Sequence, residues 1–162
     1  MSIIADHQAR IIAALQGLPS LTGLVDQTVG SAAGIRPCIY PEDAFVLNLS
    51  KQSQLFVCHG GGVRTAAGAM NSHRQRGRDK WYICSVSTSF ASPAAAQSQT
   101  GGTFDLCEAV QDVQEVSIGA PGGRAQFLIW LSNVLTQAPG RSANGGGSVG
   151  YISEYEAPER FF

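Results

Sequence analysis

The segment SHRQRGRDKWYICSVSTSF, residues 72–90, joins a cluster of basic residues to a stretch of alternating side chains. The alternation predicts a β-strand over residues 80–90, because successive side chains of a strand point to opposite faces. One face is predicted to carry Trp81, Ile83, Ser85 and Ser87, and the other Tyr82, Cys84, Val86 and Thr88. Concentrated charge beside a rigid strand is typical of a contact surface and is not what a catalytic pocket requires.

The basic cluster is unusual in a chain of this overall charge. Five of the eleven basic residues lie between positions 64 and 80, although the formal net charge is only −1. These residues are Arg64, Arg74, Arg76, Arg78 and Lys80. The net charge argues against a protein that coats nucleic acid with its whole surface, but it leaves local contact open. The cluster is either a solvated loop or a partner-binding segment, and both interpretations stand at this point.

A second charged surface is predicted on a helix over residues 104–115, with Thr103 as its capping residue. Apolar residues at helical spacing form one stripe of this helix: Leu106, Ala109, Val110 and Val113. Carboxylates fall together on the opposite face: Asp105, Glu108, Asp112 and Glu115. Alone, this is an exposed helix face. Beside a basic segment in the same chain, it suits a head-to-tail contact between copies, which closes a ring when the rotation repeats.

Weaker patterns outline the rest of the fold. A helix is predicted over residues 2–16, ended by Gly17 and Pro19. Strand-like segments are predicted at the proline-bounded, edge-forming residues 35–49, at 54–59 before the glycines at 60–62, at 125–135 and at 149–155. Residues 92–102 are expected to form a flexible loop. The predicted core contains Trp81, Ile83, Leu106, Val110, Val113 and Phe127.

Composition limits the compartment and the class of protein. The chain has 162 residues, which is enough for one domain with a real core. Its four cysteines lack C-x-x-C spacing, so they are expected to be buried, reduced thiols. Asp6, His7 and Arg10 interrupt the apolar N-terminal pattern, so no signal peptide is predicted. The longest strongly apolar run, residues 127–131, is too short to span a bilayer, and a cytosolic protein without membrane contact is expected.

Catalytic and metal chemistry find little support in the sequence. His59–Gly62 matches an esterase oxyanion loop, and residues 146–150 match the G-x-S-x-G pattern around Ser148. A small serine hydrolase stays an alternative on these grounds, but no histidine follows Ser148 as that fold requires. Neighbouring Cys58 and His59 point to opposite faces of a strand and do not form a metal site. We therefore expect no catalytic residues, no cofactor and no metal.

Three segments carry a resemblance to a known family: QLFVCHGGG at residues 54–62, RQRGRDKWYICSVSTS at 74–89 and GGTFDLCEAVQDV at 101–113. In this order, after an N-terminal helix and before two further strands, they resemble the tail terminator (tail completion) proteins of Mu-like and other long-tailed bacteriophages. The resemblance covers residues 1–156 in order and length. The Ala/Ser-rich insert and the C-terminal APERFF sequence have no match in the pattern.

The resemblance implies a non-enzymatic virion protein with an α+β fold, a mostly antiparallel sheet flanked by the N-terminal helix and the helix near residues 103–115. Such a protein forms a homohexameric ring that caps the tail tube, ends its polymerisation and provides the docking surface for the head. Its partners would be the tail tube protein and a head–tail connector protein, with DNA passing through the lumen without specific binding. It would lie at the neck-proximal end of the tail, after assembly in the host cytoplasm. Another connector or tail-tube ring protein of the same particle is the main alternative.

The same resemblance implies one domain over residues 1–156, followed by a C-terminal tail at residues 157–162. Phe161 and Phe162 offer apolar area with little reason to face water, so the tail is expected to anchor a neighbouring subunit or partner. A frayed terminus is the alternative. The candidate interface residues are therefore the two tail phenylalanines together with the basic cluster and the acidic helix face.

Overall fold

The alternating segment that follows the basic cluster forms the central strand of a β-sheet in a computed structural model of the chain. The structure describes residues 2–29, 34–39, 53–64, 76–89, 93–141, 147–157 and 160–161. The strands, in chain order, are β1 (Ile35–Cys38), β2 (Ser53–Arg64), β3 (Arg76–Ser89), β4 (Ile129–Arg141), β5 (Gly147–Glu156) and β6 (Arg160–Phe161). Residues 40–49 of the strand-like segment predicted at 35–49 lie outside the described residues.

The strand order across the sheet is β1-β2-β3-β5-β4, with β6 paired to β3. Among the described strands, β1 and β2 pair in parallel, and the other four pairings are antiparallel. The chain therefore has the predicted α+β fold with a mostly antiparallel sheet. The strand that contains Pro37 lies at the sheet edge, as predicted, because a proline has no N–H to donate to a second neighbour.

Helices pack on one face of this sheet. They are α1 (Ile3–Gln16), a 3₁₀ turn at Pro19–Leu21, α2 (Pro93–Ser98), α3 (Thr103–Val110) and a second 3₁₀ turn at Gln111–Glu115. The two predicted helices are confirmed, although the second tightens to 3₁₀ geometry after Val110. Among the described residues, no helix is long and apolar enough to cross a membrane.

Two details of the helical layer differ from the sequence predictions. The segment expected to be a flexible loop contains α2, which starts with a proline and buries Ala96 completely. Thr103 does not cap α3, because Gly102 takes the N-cap position and Thr103 is the first helical residue. Its hydroxyl donates to Oγ of Ser87 at 3.0 Å in the buried layer between helix and sheet.

The main core lies between the helices and the near face of the sheet. Trp81 and Ile83 from β3 meet Leu106, Val110 and Val113 there, and all five are fully buried. Five of the six predicted core residues are thus confirmed. The prediction for Phe127 is wrong, because its side chain is 44% exposed while the next residue, Leu128, is buried.

A smaller apolar cluster occupies the other face of the sheet. It contains Cys38, Phe56, Cys58, Cys84 and Val86, with Tyr82 packed against it. The predicted alternation of β3 is confirmed, since Tyr82, Cys84 and Val86 lie opposite the face that carries Trp81 and Ile83. All four cysteines are free and buried, as predicted.

Candidate interface surfaces

The basic cluster lies on a ribbon at one end of the sheet. Strand β2 continues through the glycines that were predicted to end it, and a register shift between His59 and Gly62 separates the main sheet from this extension. Gly60 lies so close to Tyr82 that an added Cβ would come within 2.5 Å of the ring, and Gly61 has a φ of +92°. A side chain at position 60 would have to displace the Tyr82 ring, and the positive φ at position 61 favours glycine, so both glycines support the register shift.

Three strands meet beyond this bulge, which we call the β2–β3–β6 ribbon (residues 62–64, 76–79 and 160–161). In the backbone register, Gly77 pairs with Arg64 on one side and with Arg160 on the other. Arg76 pairs with Phe161. The ribbon thus contains arginine positions from three separate parts of the chain, with Arg64 and Arg160 in register on one face and Arg76 on the opposite face. Sequence reasoning missed Arg160, because only the long-range pairing of β6 with β3 brings it to this place.

Two members of the basic cluster are already paired within the chain. Nη1 of Arg78 lies 3.1 Å from Oε2 of Glu156, and Nζ of Lys80 lies 2.8 Å from Oε1 of Glu154. The hydrogen bond and the charge of Glu154 raise the pKa of Lys80 above its usual value. Both ion pairs link β3 to β5, so these two residues are attached to the sheet itself. Arg74 and Phe162 lie outside the described residues.

The acidic helix face lies where the sequence places it. The carboxylate side chains of Asp105, Glu108, Asp112 and Glu115 are all exposed along α3 and the 3₁₀ turn that follows. Asp105 has a local function, since its Oδ2 accepts the backbone N–H of Gly101 at 2.8 Å and fixes the turn before α3. The 3₁₀ turn that carries Asp112 and Glu115 contacts β4.

A third surface was not predicted. Large apolar side chains are exposed just before β4 and over its first residues, with exposed fractions of 44% for Phe127, 50% for Ile129, 39% for Trp130 and 42% for Leu131. We call these four residues the β4 patch. β4 is the outermost strand of the sheet, and a bulge leaves Leu131 without a register partner on β5. The sequence signal is the unbroken apolar run at residues 127–131, which is too short to span a bilayer and falls in the strand predicted at 125–135, with only Phe127 predicted in the core.

The β4 patch is held beside the acidic 3₁₀ turn by a specific contact. The backbone N–H of Trp130 donates to Oε1 of Gln114 at 2.9 Å, and its indole Nε1–H donates to Oδ1 of Asn133 at 3.0 Å. Glu115, whose side chain is exposed, follows Gln114 directly in this turn. Exposed apolar side chains grouped on one part of a subunit are typical of protein–protein contact surfaces.

The geometry does not favour the hydrolase alternative. His59 pairs in register with Trp81, and Ser148 pairs with Thr88, so seven positions of β3 separate them. At about 3.3 Å per residue, the histidine and the serine backbones lie roughly 20 Å apart along the sheet. The G-x-S-x-G segment also enters a strand instead of a strand-to-helix turn. Within the described part of the chain, no group of three or more His, Cys, Asp or Glu residues is placed to hold a metal ion.

Comparisons with known proteins identify no family. No family model matches this chain, and no curated protein matches it. Among solved structures, the chain is similar to a chain of the "Virion of native gene transfer agent (GTA) particle", with a TM-score of 0.48 and 13% sequence identity. The match covers 93% of this chain and 92% of the other. A likeness of this size establishes neither a common family nor a common function.

Proposed function

We propose that this chain is a structural protein of a phage-like particle that forms a ring, caps the tail tube and stops its polymerisation. The observation that carries the proposal is the presence of two different candidate contact surfaces on one subunit. Arginine positions from three parts of the chain converge in the backbone register of the ribbon, and an apolar patch is exposed at the start of β4. Two different surfaces suit head-to-tail contacts, which form a ring when the rotation between copies closes.

The sequence resemblance supplies the rest of the proposal. The tail terminator pattern over residues 1–156, with a tail at 157–162, implies a homohexamer that contacts the tail tube protein on one side and a head–tail connector on the other. We therefore propose that the ring lies at the neck-proximal end of the tail. If the exposed carboxylates of α3 line the lumen, their repeated negative charge repels DNA phosphates and lets the genome pass without binding.

Electron microscopy of the purified protein, alone and mixed with assembling tail tubes, tests this function. We expect single rings of uniform size and tubes whose growth stops at a bound ring. Long cylinders formed by the protein alone would identify a tube protein instead. A protein that neither forms rings nor arrests tube growth would contradict the proposal. Ester hydrolysis that disappears in a Ser148→Ala variant would point to the hydrolase alternative.

A further inference from the structure

Three cysteines lie on the sheet face opposite the main core. Cys38, Cys58 and Cys84 come from β1, β2 and β3, and all three belong to the smaller apolar cluster. The fourth, Cys107, lies on α3 in the helical layer, where its Sγ is 3.7 Å from Oγ of Ser153. All four carry thiols and none forms a disulfide. The order and register of the strands decide which of the three thiols on the far face lie close together.

The strand register brings Cys38 and Cys58 together. They are direct partners in the parallel pairing of β1 with β2, and both side chains lie in the same cluster. Neighbouring strands lie about 4.8 Å apart, and the Cα atoms of a disulfide lie about 4.4–6.8 Å apart. Two positions earlier, the guanidinium carbon of Arg36 lies 5.6 Å from the centroid of the Phe56 ring, so side chains of these strands do meet on this face. The pair therefore suits a disulfide.

Cys84 fits a disulfide less well. It pairs in register with Phe56, whereas Cys58 pairs with Tyr82, so the two cysteines are diagonal neighbours on antiparallel strands. Diagonal neighbours lie about 7–8 Å apart. Beyond about 7 Å between Cα atoms, a disulfide requires movement of the backbone. The register thus favours the bond between Cys38 and Cys58 and leaves Cys84 as an internal reference in the same cluster.

Cys38 is the thiol of this pair that a reagent reaches first. It is 8% exposed, it is the last residue of the edge strand, and the next residue, Ile39, is 77% exposed. Cys58 is completely buried in β2. Local opening takes less free energy at the end of an edge strand than inside the sheet. Cys38 is therefore placed to react with a small molecule, and Cys58 is placed to react with Cys38.

We propose that Cys38 and Cys58 form a reversible disulfide that ties the edge strand β1 to β2 when the protein meets a small disulfide such as oxidised glutathione. The Cys38 thiolate attacks one sulfur of the oxidant and releases one reduced glutathione. The Cys58 thiolate then attacks Sγ of Cys38 and releases the second glutathione. Two electrons pass from the protein to the oxidant, and the two thiol protons end on the two released glutathione molecules.

The chemistry is independent of the proposed ring, but its timing rests on that function. Thiols stay reduced in the cytoplasm, whereas disulfides persist on particles outside the cell. A protein of a phage-like particle therefore keeps both thiols during assembly and forms the bond after release. The bond holds β1 against β2, so this edge of the sheet opens less readily in the released particle.

Peptide mapping by mass spectrometry tests the pairing. The purified, folded chain is treated with oxidised glutathione, unfolded, alkylated and digested without reduction. We expect two peptides linked through Cys38 and Cys58, with Cys84 and Cys107 alkylated. Oxidation should raise the melting temperature by about 5–10 °C, because the bond removes conformational freedom from the unfolded chain. Dithiothreitol should reverse both changes.

Cys38→Ala is the test variant, and Cys84→Ala is the matched control, because each removes one thiol from the same cluster. Cys38→Ala should abolish the linked peptides and the rise in melting temperature, and Cys84→Ala should keep both. The mapping of wild type gives the answer even if a variant fails to fold. The proposal is overturned by a link that contains Cys84 or Cys107, by a glutathione adduct on Cys38 that persists, or by four thiols that all remain alkylatable.

The proposed function fails on a different measurement. A chain that forms this disulfide but neither builds rings nor arrests tube growth contradicts the capping role and leaves the disulfide standing. Rings that arrest tube growth and still keep the Cys38 and Cys58 thiols after oxidation overturn the disulfide and leave the capping role standing.

Discussion

Nε2 of His59 lies 3.0 Å from Oδ1 of Asp79, across the point where β2 changes register against β3. Asp79 is fully buried, whereas the His59 side chain is 26% exposed. The histidine ring also contacts Trp81 edge to face, with a centroid separation of 4.9 Å. The pair therefore joins the main sheet to the base of the β2–β3–β6 ribbon, and we interpret it as a structural contact.

Removing the histidine from this pair should destabilise the fold. We expect His59→Ala to lower the free energy of unfolding by about 1–2 kcal/mol, because it deletes a hydrogen bond to a buried carboxyl group. His59→Gln should recover part of the loss, since the amide keeps an N–H donor. Urea unfolding followed by circular dichroism measures both. Equal stability of His59→Ala and wild type would show that the pair contributes nothing.

Local patterns predicted those parts of the fold that depend on neighbouring residues. The alternation of β3 identified both faces of the sheet correctly because each face is buried against its own apolar cluster. The acidic face of α3 was likewise predicted from helical spacing. The edge position of β1 followed from Pro37, because proline lacks the donor that a central strand needs.

Long-range packing decided what the sequence could not reveal. The composition around Ala96 is typical of a loop, and only contact with β3 and β5 explains why α2 forms and is buried. Phe127 was assigned to the core because apolar residues are usually buried. Phe127 lies in the segment before β4, where the buried position is taken by the next residue, Leu128. Arg160 joined the basic residues only through the pairing of β6.

The junction between α2 and α3 should tolerate no side chain at Gly102. An added Cβ would lie 2.6 Å from the carbonyl oxygen of Ala96 and 2.8 Å from that of Gln99. Both atoms belong to the backbone, so the helices must shift. Gly102→Ala should cost about 1–3 kcal/mol of stability through overpacking. Gly17→Ala is the control, because its nearest atom would be 3.7 Å away. Equal melting temperatures for the two variants would contradict this packing.

Alkaline pH should weaken the folded state through two buried groups. Burial raises the pKa of the Cys107 thiol above its ordinary value of 9.0 and that of the Tyr155 phenol above 10.0. Above these values the unfolded chain loses protons that the folded protein keeps, so the free energy of unfolding falls as pH rises. The stability that the protonated Cys107 thiol contributes to the folded state is fully present below pH 9.0. Tyr155→Phe should flatten the decline above pH 10.0 in urea titrations, and an unchanged slope would count against it.

The C-terminal residues should matter more for assembly than for folding. Ala157 is fully buried, and its N–H donates to the Asp79 carbonyl at 2.8 Å, so a truncation must keep this residue. Deleting residues 158–162 removes the short strand β6, and we expect cooperative unfolding with a loss of about 1 kcal/mol. Self-association should fall more strongly, because Arg160 leaves the ribbon.

Two point variants distinguish the effect of the Arg160 charge on assembly from the effect of the β6 backbone. Arg160→Ser should weaken assembly nearly as much as the truncation does, since it removes one arginine of the β2–β3–β6 ribbon and leaves β6 in place. Arg124→Ser removes an equal charge from an exposed position outside the ribbon and should have no effect. Analytical ultracentrifugation of the truncated protein, Arg160→Ser and Arg124→Ser measures their self-association. If the truncated protein assembles like wild type, β6 does not contribute to the subunit contacts of the ring.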